Sequence, residues 1–443
     1  MGSYPNDVGV LVPNVLLPPK GTDFEKWAVV ACDQYTSQPE YWERVREIAG
    51  DEPTTLDLIL PEAFLGQPDE AERIAAIREN MEAYLRLGVL EEQPQGFVLV
   101  RRTAAGKTRN GLVMALDLEQ YDYHKGSTTL IRATEGTIES RIPPRLRIRE
   151  GAPLELPHIL VLIDDPGRTV IEPLVEQADR LPLLYDTDLM LGGGHVEGRL
   201  VSDGAAIRGV LDALTALTDA DAFHEKYGDH APLLFAMGDG NHSFATAKAN
   251  WEQIKAALPE PLRRTHPARY ALVEVENVHD AGIVFEPIHR VVFGVDGYRA
   301  VALLQKHLAA QNGGVEVRYF EETDGPIGIL ARDAHVLPFF LQGAQGAFLV
   351  SGPSQQLAVG TLQNAIDAML QEVEGATVDY IHGADVVETL ARRDNAIGFL
   401  LPAMEKSQLF PTVVYDGALP RKTFSMGEAN EKRYYMECRR IAE

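Results

Sequence analysis

A short apolar run, Ala231 to Met237, ends in Gly238-Asp239-Gly240-Asn241-His242-Ser243 and passes directly into an amphipathic helix. Such a junction calls for a fold in which strand ends face helix starts, the arrangement in which α/β proteins place their sites. Gly238 and Gly240 can take backbone angles closed to other residues, so that successive N–H groups converge. The first helical turn adds further N–H donors and the positive end of the helix dipole. Asp239 brings an acceptor and His242 a titratable imidazole, which together make a candidate phosphate site equipped for chemistry. A plainer reading uses the same residues. Asn241 or Ser243 caps the helix, Phe244, Ala247, Trp251, Ile254 and Leu258 form its buried stripe, and glycine before a helix is ordinary turn chemistry.

A chain of 443 residues is too long for one core and divides into two lobes or more. The formal charge of -24 is spread along the chain rather than gathered in a tail, which favours solubility and argues against a nucleic-acid partner. No apolar run approaches the roughly 20 residues that span a bilayer. The start, Met1-Gly2-Ser3-Tyr4-Pro5-Asn6-Asp7, lacks a basic segment followed by an apolar one, so the expectation is a cytoplasmic protein with no membrane partner. Only Cys32 and Cys438 are present, which excludes a disulfide framework or a cysteine-based zinc site and points to two reduced thiols.

Residues 8 to 19 read as a strand with an extended exit, and the apolar run Trp27 to Ala31 as a second strand. Ser37-Gln38-Pro39-Glu40 marks a helix start with Tyr41, Trp42 and Val45 inward. Residues 68 to 87 form a surface helix on Ile74, Ile77, Met81 and Leu85. A hairpin follows, Gly96 to Arg102 and Leu112 to Leu118. Its Gly106-Lys107-Thr108 is a turn rather than a phosphate loop, because Arg101 stands where the first glycine is required and a strand follows. Gly192-Gly193-Gly194-His195 lacks dinucleotide spacing and reads as a glycine-rich hairpin or a backbone approach to ligand. A helix is expected from Ala205 to Leu217 and strands over 269 to 276 and 283 to 293. Beyond a soft boundary near Gly294 to Gly297 come a helix from Tyr298 to Leu308, three strand-like runs and helices near 361 to 373 and 385 to 393. The expected division is a main α/β domain over 1–294, a second α/β lobe over 295–416, and a basic segment with a helix from Glu428 over 417–443, docking on the body.

In so acidic a chain, basic islands are informative. Arg132, Arg141, Arg145, Arg147 and Arg149 form a candidate wall for an anionic ligand, since guanidinium groups recognise phosphate or carboxylate in fixed geometry. The alternative is a solvated face neutralising nearby acids, the better reading for Arg147 and Arg149, and Pro143-Pro144 interrupts any helix there. Asp164-Asp165 at the end of the strand Ile159 to Ile163 either holds magnesium or forms an ordinary turn. His289, within Glu286-Pro287-Ile288-His289-Arg290, is either a ligand residue or a core histidine. Arg290, with Arg421 and Lys422 of the basic C-terminal segment, completes the secondary candidates.

Several segments together resemble domain-of-unknown-function family 1015, an uncharacterised bacterial and archaeal family. They are Asp33-Gln34-Tyr35-Thr36-Ser37-Gln38-Pro39-Glu40-Tyr41-Trp42, Arg132-Ala133-Thr134-Glu135-Gly136-Thr137, Tyr185-Asp186-Thr187-Asp188-Leu189-Met190 and Gly238-Asp239-Gly240-Asn241-His242-Ser243. Glu286-Pro287-Ile288-His289-Arg290 and Leu419-Pro420-Arg421-Lys422-Thr423-Phe424-Ser425-Met426-Gly427 add to it, and the resemblance spans nearly the whole chain. Many members carry Asp-Gly-His-His-Arg at the turn, which is similar to the phosphate-binding segment of the ParB and sulfiredoxin superfamily, free-serine kinases included. That resemblance implies a ParB/sulfiredoxin-like mixed-sheet α/β (α+β) core with a second α/β lobe. Carried over by position, Asp239 matches the motif acid, His242 the second histidine and Glu135 an earlier glutamate. Asn241 and Ser243 depart from the pattern, and the arginine lost at Ser243 would have to be replaced by Arg132, Arg141 or Arg290.

The leading expectation is a nucleotide-dependent phosphotransferase acting on a small polar metabolite, a free amino acid such as serine being one candidate, with ATP or ADP and Mg2+ as cofactors. Gly238, Gly240, Asn241 and Ser243 would hold phosphates, Asp239 would orient metal or substrate, Glu135 would act as base, and Arg132 and Arg141 would neutralise charge. No dedicated metal-ligand set stands out. One alternative is a nucleotide-binding switch in which nucleotide alters a homodimer. The other is a nucleotide-independent hydrolase or isomerase using His242 or His289.

Overall fold

The computed structural model describes residues 4–320 and 334–442. By contacts the chain divides into two compact units, Met1–Val284 with Met426–Glu443, and Phe285–Ser425. The second unit is thus an insertion that begins about ten residues earlier than the expected boundary near Gly294 and ends later than 416. Its entry strand Phe285–Pro287 pairs with its exit strand Phe424–Met426.

The first unit is organised on a ten-stranded mixed sheet. Its order is Leu183–Leu189, Gly194–Val201, Phe97–Ala104, Lys107–Asp117, Tyr270–Asn277, Leu160–Ile163, Phe235–Asp239, Ile131–Arg132 and Tyr121–Asp122, with Val10–Leu11 beside Lys107–Asp117. Tyr270–Asn277 runs parallel to Leu160–Ile163, which is antiparallel to Phe235–Asp239, which is parallel to Ile131–Arg132. Both faces of the central strands are covered, so their side chains are buried on both sides, Glu274 and Glu276 of Tyr270–Asn277 included. Phe97 and Leu99, Leu112, Met114 and Leu116, and Ala271, Val273 and Val275 pack on one side with Phe244, Ala247 and Trp251 of the helix Asn241–Ala257 and Ile207, Val210 and Leu214 of the helix Gly204–Ala216. Val98 and Val100, Val113 and Ala115, and Leu272 pack on the other with Trp42 and Val45 of the helix Pro39–Ala49 and Ile74, Ile77 and Met81 of the helix Glu70–Arg86. The mixed α/β class expected from the sequence is the class observed.

Three local expectations change. Trp27 ends a short helix, Phe24–Trp27, started by Asp23, whose carboxylate accepts from the N–H groups of Glu25 and Lys26; only the bridge of Val30 to Tyr434 extends the following run. Pro143 and Pro144 do not interrupt a helix but open one, Ile142–Arg149, where their missing N–H groups cost nothing. Residues after Glu428 form a 3-10 turn, Ala429–Glu431, and then an extended segment rather than a helix. Bridges of Tyr434 to Val30 and Cys438 to Leu16, and pairing of Arg439–Arg440 with Leu154–Glu155, supply backbone partners there, and buried ion pairs of Arg433 and Arg439 hold it.

The second unit carries an antiparallel sheet in the order Gly314–Phe320, Ala344–Ser351, Ala334–Leu341, Ala396–Phe399, His289–Phe293 and Thr377–Ile381, with helices Gly297–Gln311, Ala358–Glu372 and Ala384–Ala391. Among the described residues no helix is long and apolar enough to cross a membrane.

Candidate active site at the glycine turn

The strand Phe235–Asp239 runs into the helix Asn241–Ala257 through Gly240, which adopts a left-handed φ of 81° and leaves the helix without a side-chain cap. Neither Asn241 nor Ser243 is therefore the cap. A Cβ on Gly240 would lie 3.1 Å from Cγ1 of Ile159, and one on Gly238 would lie 3.1 Å from Cγ of Leu162 and Sδ of Met426, so both positions are tightly packed and Gly240, with its left-handed φ, favours glycine. Asp239 stands at the bend. Its Oδ1 accepts the Gly240 N–H at 2.8 Å and its Oδ2 lies 3.1 Å from the Lys432 ammonium. Burial opposes ionisation of this carboxyl, but Lys432 and the Gly240 amide prevail and hold its pKa below the usual value.

The next three side chains face three different segments. Asn241 Oδ1 accepts the Thr134 N–H at 3.3 Å, while Thr134 Oγ1 donates to the Met237 carbonyl at 2.6 Å. His242 Nε2 accepts the Ile138 N–H at 3.2 Å. These bonds tie residues 134 to 138 to the turn, and half-buried Glu135 lies between the two anchors. Ser243 Oγ is 2.8 Å from His158 Nε2, His158 Nδ1 is 2.9 Å from Tyr435 Oη, and Tyr435 Oη accepts the Cys32 N–H at 3.1 Å. Glu62, whose N–H bonds the Cys32 carbonyl at 2.7 Å, is ion-paired with Arg145. Burial of Glu62 outweighs that arginine and raises its carboxyl pKa.

Three of the remaining arginines have other work. Arg132 is buried, with Nε on the Thr129 carbonyl at 2.8 Å and Nη2 on the carbonyls of Ala231 at 2.8 Å and Pro232 at 2.9 Å. It clamps the strand that feeds the turn instead of offering that fork to an anion, and burial pushes its pKa down to about 10. Arg141 is exposed on the 3-10 turn Glu139–Arg141. Arg147 pairs with Glu70 at 2.6 Å and Arg149 with Glu155, the acid-neutralising role.

Asp164 is bonded by Lys226 at 2.6 Å and His279 at 2.7 Å, and Asp165 accepts the N–H groups of Thr169 at 2.6 Å and Val170 at 2.9 Å, which is turn chemistry. Among the described residues no group of three or more His, Cys, Asp or Glu is placed to hold a metal ion.

The second unit holds the other candidates. His289 Nδ1 accepts the Leu401 N–H at 3.1 Å, and burial with the neighbouring Arg290 charge lowers its pKa. Arg290 is fully buried and donates to Gln363 at 3.1 Å and to the carbonyls of Lys422 at 2.9 Å and Arg421 at 2.8 Å. Arg421 itself pairs with Asp367. These are internal ties of that unit, so the core-histidine reading fits His289.

Sequence reasoning did not single out His158, Lys432 or Tyr435. His158 had one weak signal, its position just ahead of the strand that flanks the glycine turn; the other two come from a segment read as helical.

Solved structures similar to this chain include a conserved hypothetical protein from Pyrococcus furiosus, at 11% identity and a TM-score of 0.34, covering 73% of this chain and 90% of that one. A free serine kinase in complex with AMP is similar at 12% identity and a TM-score of 0.38, covering 73% of this chain and 90% of that one. SbnI with a C-terminal truncation, from Staphylococcus aureus, is similar at 10% identity and a TM-score of 0.34, covering 71% of this chain and 82% of that one. Likeness this remote carries no activity across. No curated protein matches the sequence. The model of the family described as protein of unknown function (DUF1015) matches residues 16–369, most of the chain, and the chain therefore belongs to that family.

Proposed function

We propose that the chain is a nucleotide-dependent phosphotransferase acting on a small polar metabolite, a free amino acid such as serine being the first to try. The observation that carries this reading is the turn itself: a left-handed Gly240 opening an uncapped helix beside the Asp239 and Lys432 pair. Converging amides, a helix dipole and an ammonium group form an environment for phosphate oxygens. Phosphoryl transfer needs mainly positioning and charge stabilisation, which such a set supplies.

In this reading the amides of Asn241 to Ser243 hold the phosphates and Lys432 neutralises the charge that develops on them. Glu135, held beside the turn by the Thr134 and Ile138 anchors, is the base for the acceptor hydroxyl. Magnesium fits only as an ion carried in by the nucleotide phosphates and touched by one carboxylate, Asp239, since such ions keep several waters.

Melting of the purified protein with magnesium ATP and magnesium ADP tests the binding claim. A ligand at a hundred times its Kd stabilises the folded state by about 2.7 kcal/mol, a readable shift. Asp239→Ala is expected to lose that shift while melting as a folded protein. No shift with any nucleotide, or a shift that Asp239→Ala leaves unchanged, would sink the reading. Turnover of the nucleotide with serine then separates a transferase from a switch, which would instead change its mass in solution.

A further inference from the structure

Ser243, His158 and Tyr435 stand in line. The hydroxyl of a residue in the first turn of an uncapped helix meets one imidazole nitrogen at 2.8 Å, and the other nitrogen meets a buried phenol at 2.9 Å. A nucleophile within hydrogen-bond reach of a base that a third group orients is the arrangement by which weak hydroxyl nucleophiles are activated. The three come from different parts of the fold: a helix start, the residues leading into the strand Leu160–Ile163, and the C-terminal segment.

The productive tautomer of His158 carries its proton on Nδ1, facing the phenol. Tyr435 Oη accepts the Cys32 N–H at 3.1 Å and keeps a second lone pair able to accept Nδ1–H of His158, 2.9 Å away. With the proton on Nδ1, the Nε2 lone pair faces the Ser243 hydroxyl. Ser243 and His158 are only partly buried, so a ligand can reach them, whereas Tyr435 is 2% exposed and fixed. The charges that reach His158 include those of Asp239 on the strand end and Glu62.

We propose that Ser243 is a nucleophile, activated by His158 with Tyr435 as positioning residue, that takes up a phosphoryl group from a phosphate ester or anhydride seated on the glycine turn. Ser243 Oγ attacks phosphorus as the Oγ–P bond forms. The bond from phosphorus to the leaving oxygen breaks and that oxygen departs with the electron pair. The hydroxyl proton passes to His158 Nε2, and the helix-start amides with the Lys432 ammonium stabilise the charge on the equatorial oxygens. The product is a phosphoseryl enzyme, which an acceptor hydroxyl or water discharges by the reverse sequence. This step does not depend on the ligand being a nucleotide.

A fluorophosphonate, a phosphorus electrophile with fluoride as leaving group, tests the nucleophile without any nucleotide. Peptide mapping of the treated full chain by mass spectrometry is expected to place a single adduct on Ser243, which requires no variant. The labelling rate is expected to follow one deprotonation, and His158→Gln is expected to remove that dependence and slow labelling by roughly a hundredfold. Tyr435→Phe, which deletes one oxygen, is expected to shift the pH profile while the adduct stays on Ser243. Absence of the adduct from Ser243 in folded wild-type protein overturns the proposal, as does an unchanged rate and profile in a His158→Gln protein that still melts cooperatively. Labelling without any melting shift from nucleotides would discard the nucleotide reading and keep the nucleophile.

Discussion

Glu276 is a carboxyl with no solvent exposure. The Nε of Arg109 lies 2.7 Å from its Oε1, yet neither carboxylate oxygen has an aligned hydrogen bond. Burial first, opposed by Arg109 and reinforced by Glu274 and Asp280, pushes its pKa up to about 8. Between the ordinary glutamate value of about 4.3 and that point, the folded protein keeps a proton that the unfolded chain has lost. Its contribution is therefore present at low pH and is lost as pH rises through the folded value. Urea unfolding of wild type and Glu276→Gln across that window is expected to show the variant gaining on wild type by a few kcal/mol at the alkaline end, with the difference closing towards about pH 5. Asp239 has the opposite sign: its depressed pKa stabilises the fold above the unfolded carboxyl value and is lost in acid. Neither behaviour was legible in the sequence. Asp239 was found there because it sits in a glycine motif, whereas Glu276 is simply one alternating residue of a strand.

The strand, glycine and helix unit around Gly240 was the most legible element, because strand, turn and helix signals all fall within a short stretch of chain. Its stripe behaves as the spacing predicts: Phe244, Ala247 and Trp251 are fully buried, and Ile254 and Leu258 pack at the edge. Gly240→Ala would force an alanine into the left-handed region and bring its Cβ to 3.1 Å from Ile159 Cγ1. A loss of about 1–2 kcal/mol is expected, read as a lower urea midpoint with unchanged slope, together with weaker phosphate binding. Elements failed to read correctly where the local pattern was neutral between two partners. The apolar run after Trp27 is buried equally well as helix end or strand. The C-terminal segment has helix-compatible residues, but strand bridges at Tyr434 and Cys438 claimed its backbone.

That closing segment binds the first unit through buried charge. Arg433 donates from Nε to Glu274 at 2.6 Å and from Nη2 to Glu437 at 2.9 Å, and a third bond goes to the Pro157 carbonyl at 2.7 Å. Arg433→Met would strand two buried carboxylates and is expected to cost about 3–5 kcal/mol, measured by thermal or urea unfolding at neutral pH. Because Tyr435 and Lys432 flank Arg433, the same change should also disturb the glycine turn. The inserted unit makes a separate prediction. Its entry and exit strands pair and its antiparallel sheet has its own helices, so residues 285–425 expressed alone are expected to show native-like circular dichroism and a cooperative melt.

The amino-acid sequence by itself determined the α/β class, the glycine turn with its helix and the family. These rest on short-range periodicity and on residues whose backbone freedom is intrinsic. Only the tertiary structure decided which side chains surround the turn. It spent Arg132 on backbone carbonyls, and it brought His158 to Ser243 across 85 residues and Tyr435 to His158 across 277. Hydrogen bonds and ion pairs over such separations leave no periodic trace in a chain, because their partners are matched in space by the packing of the sheet and its covering segments.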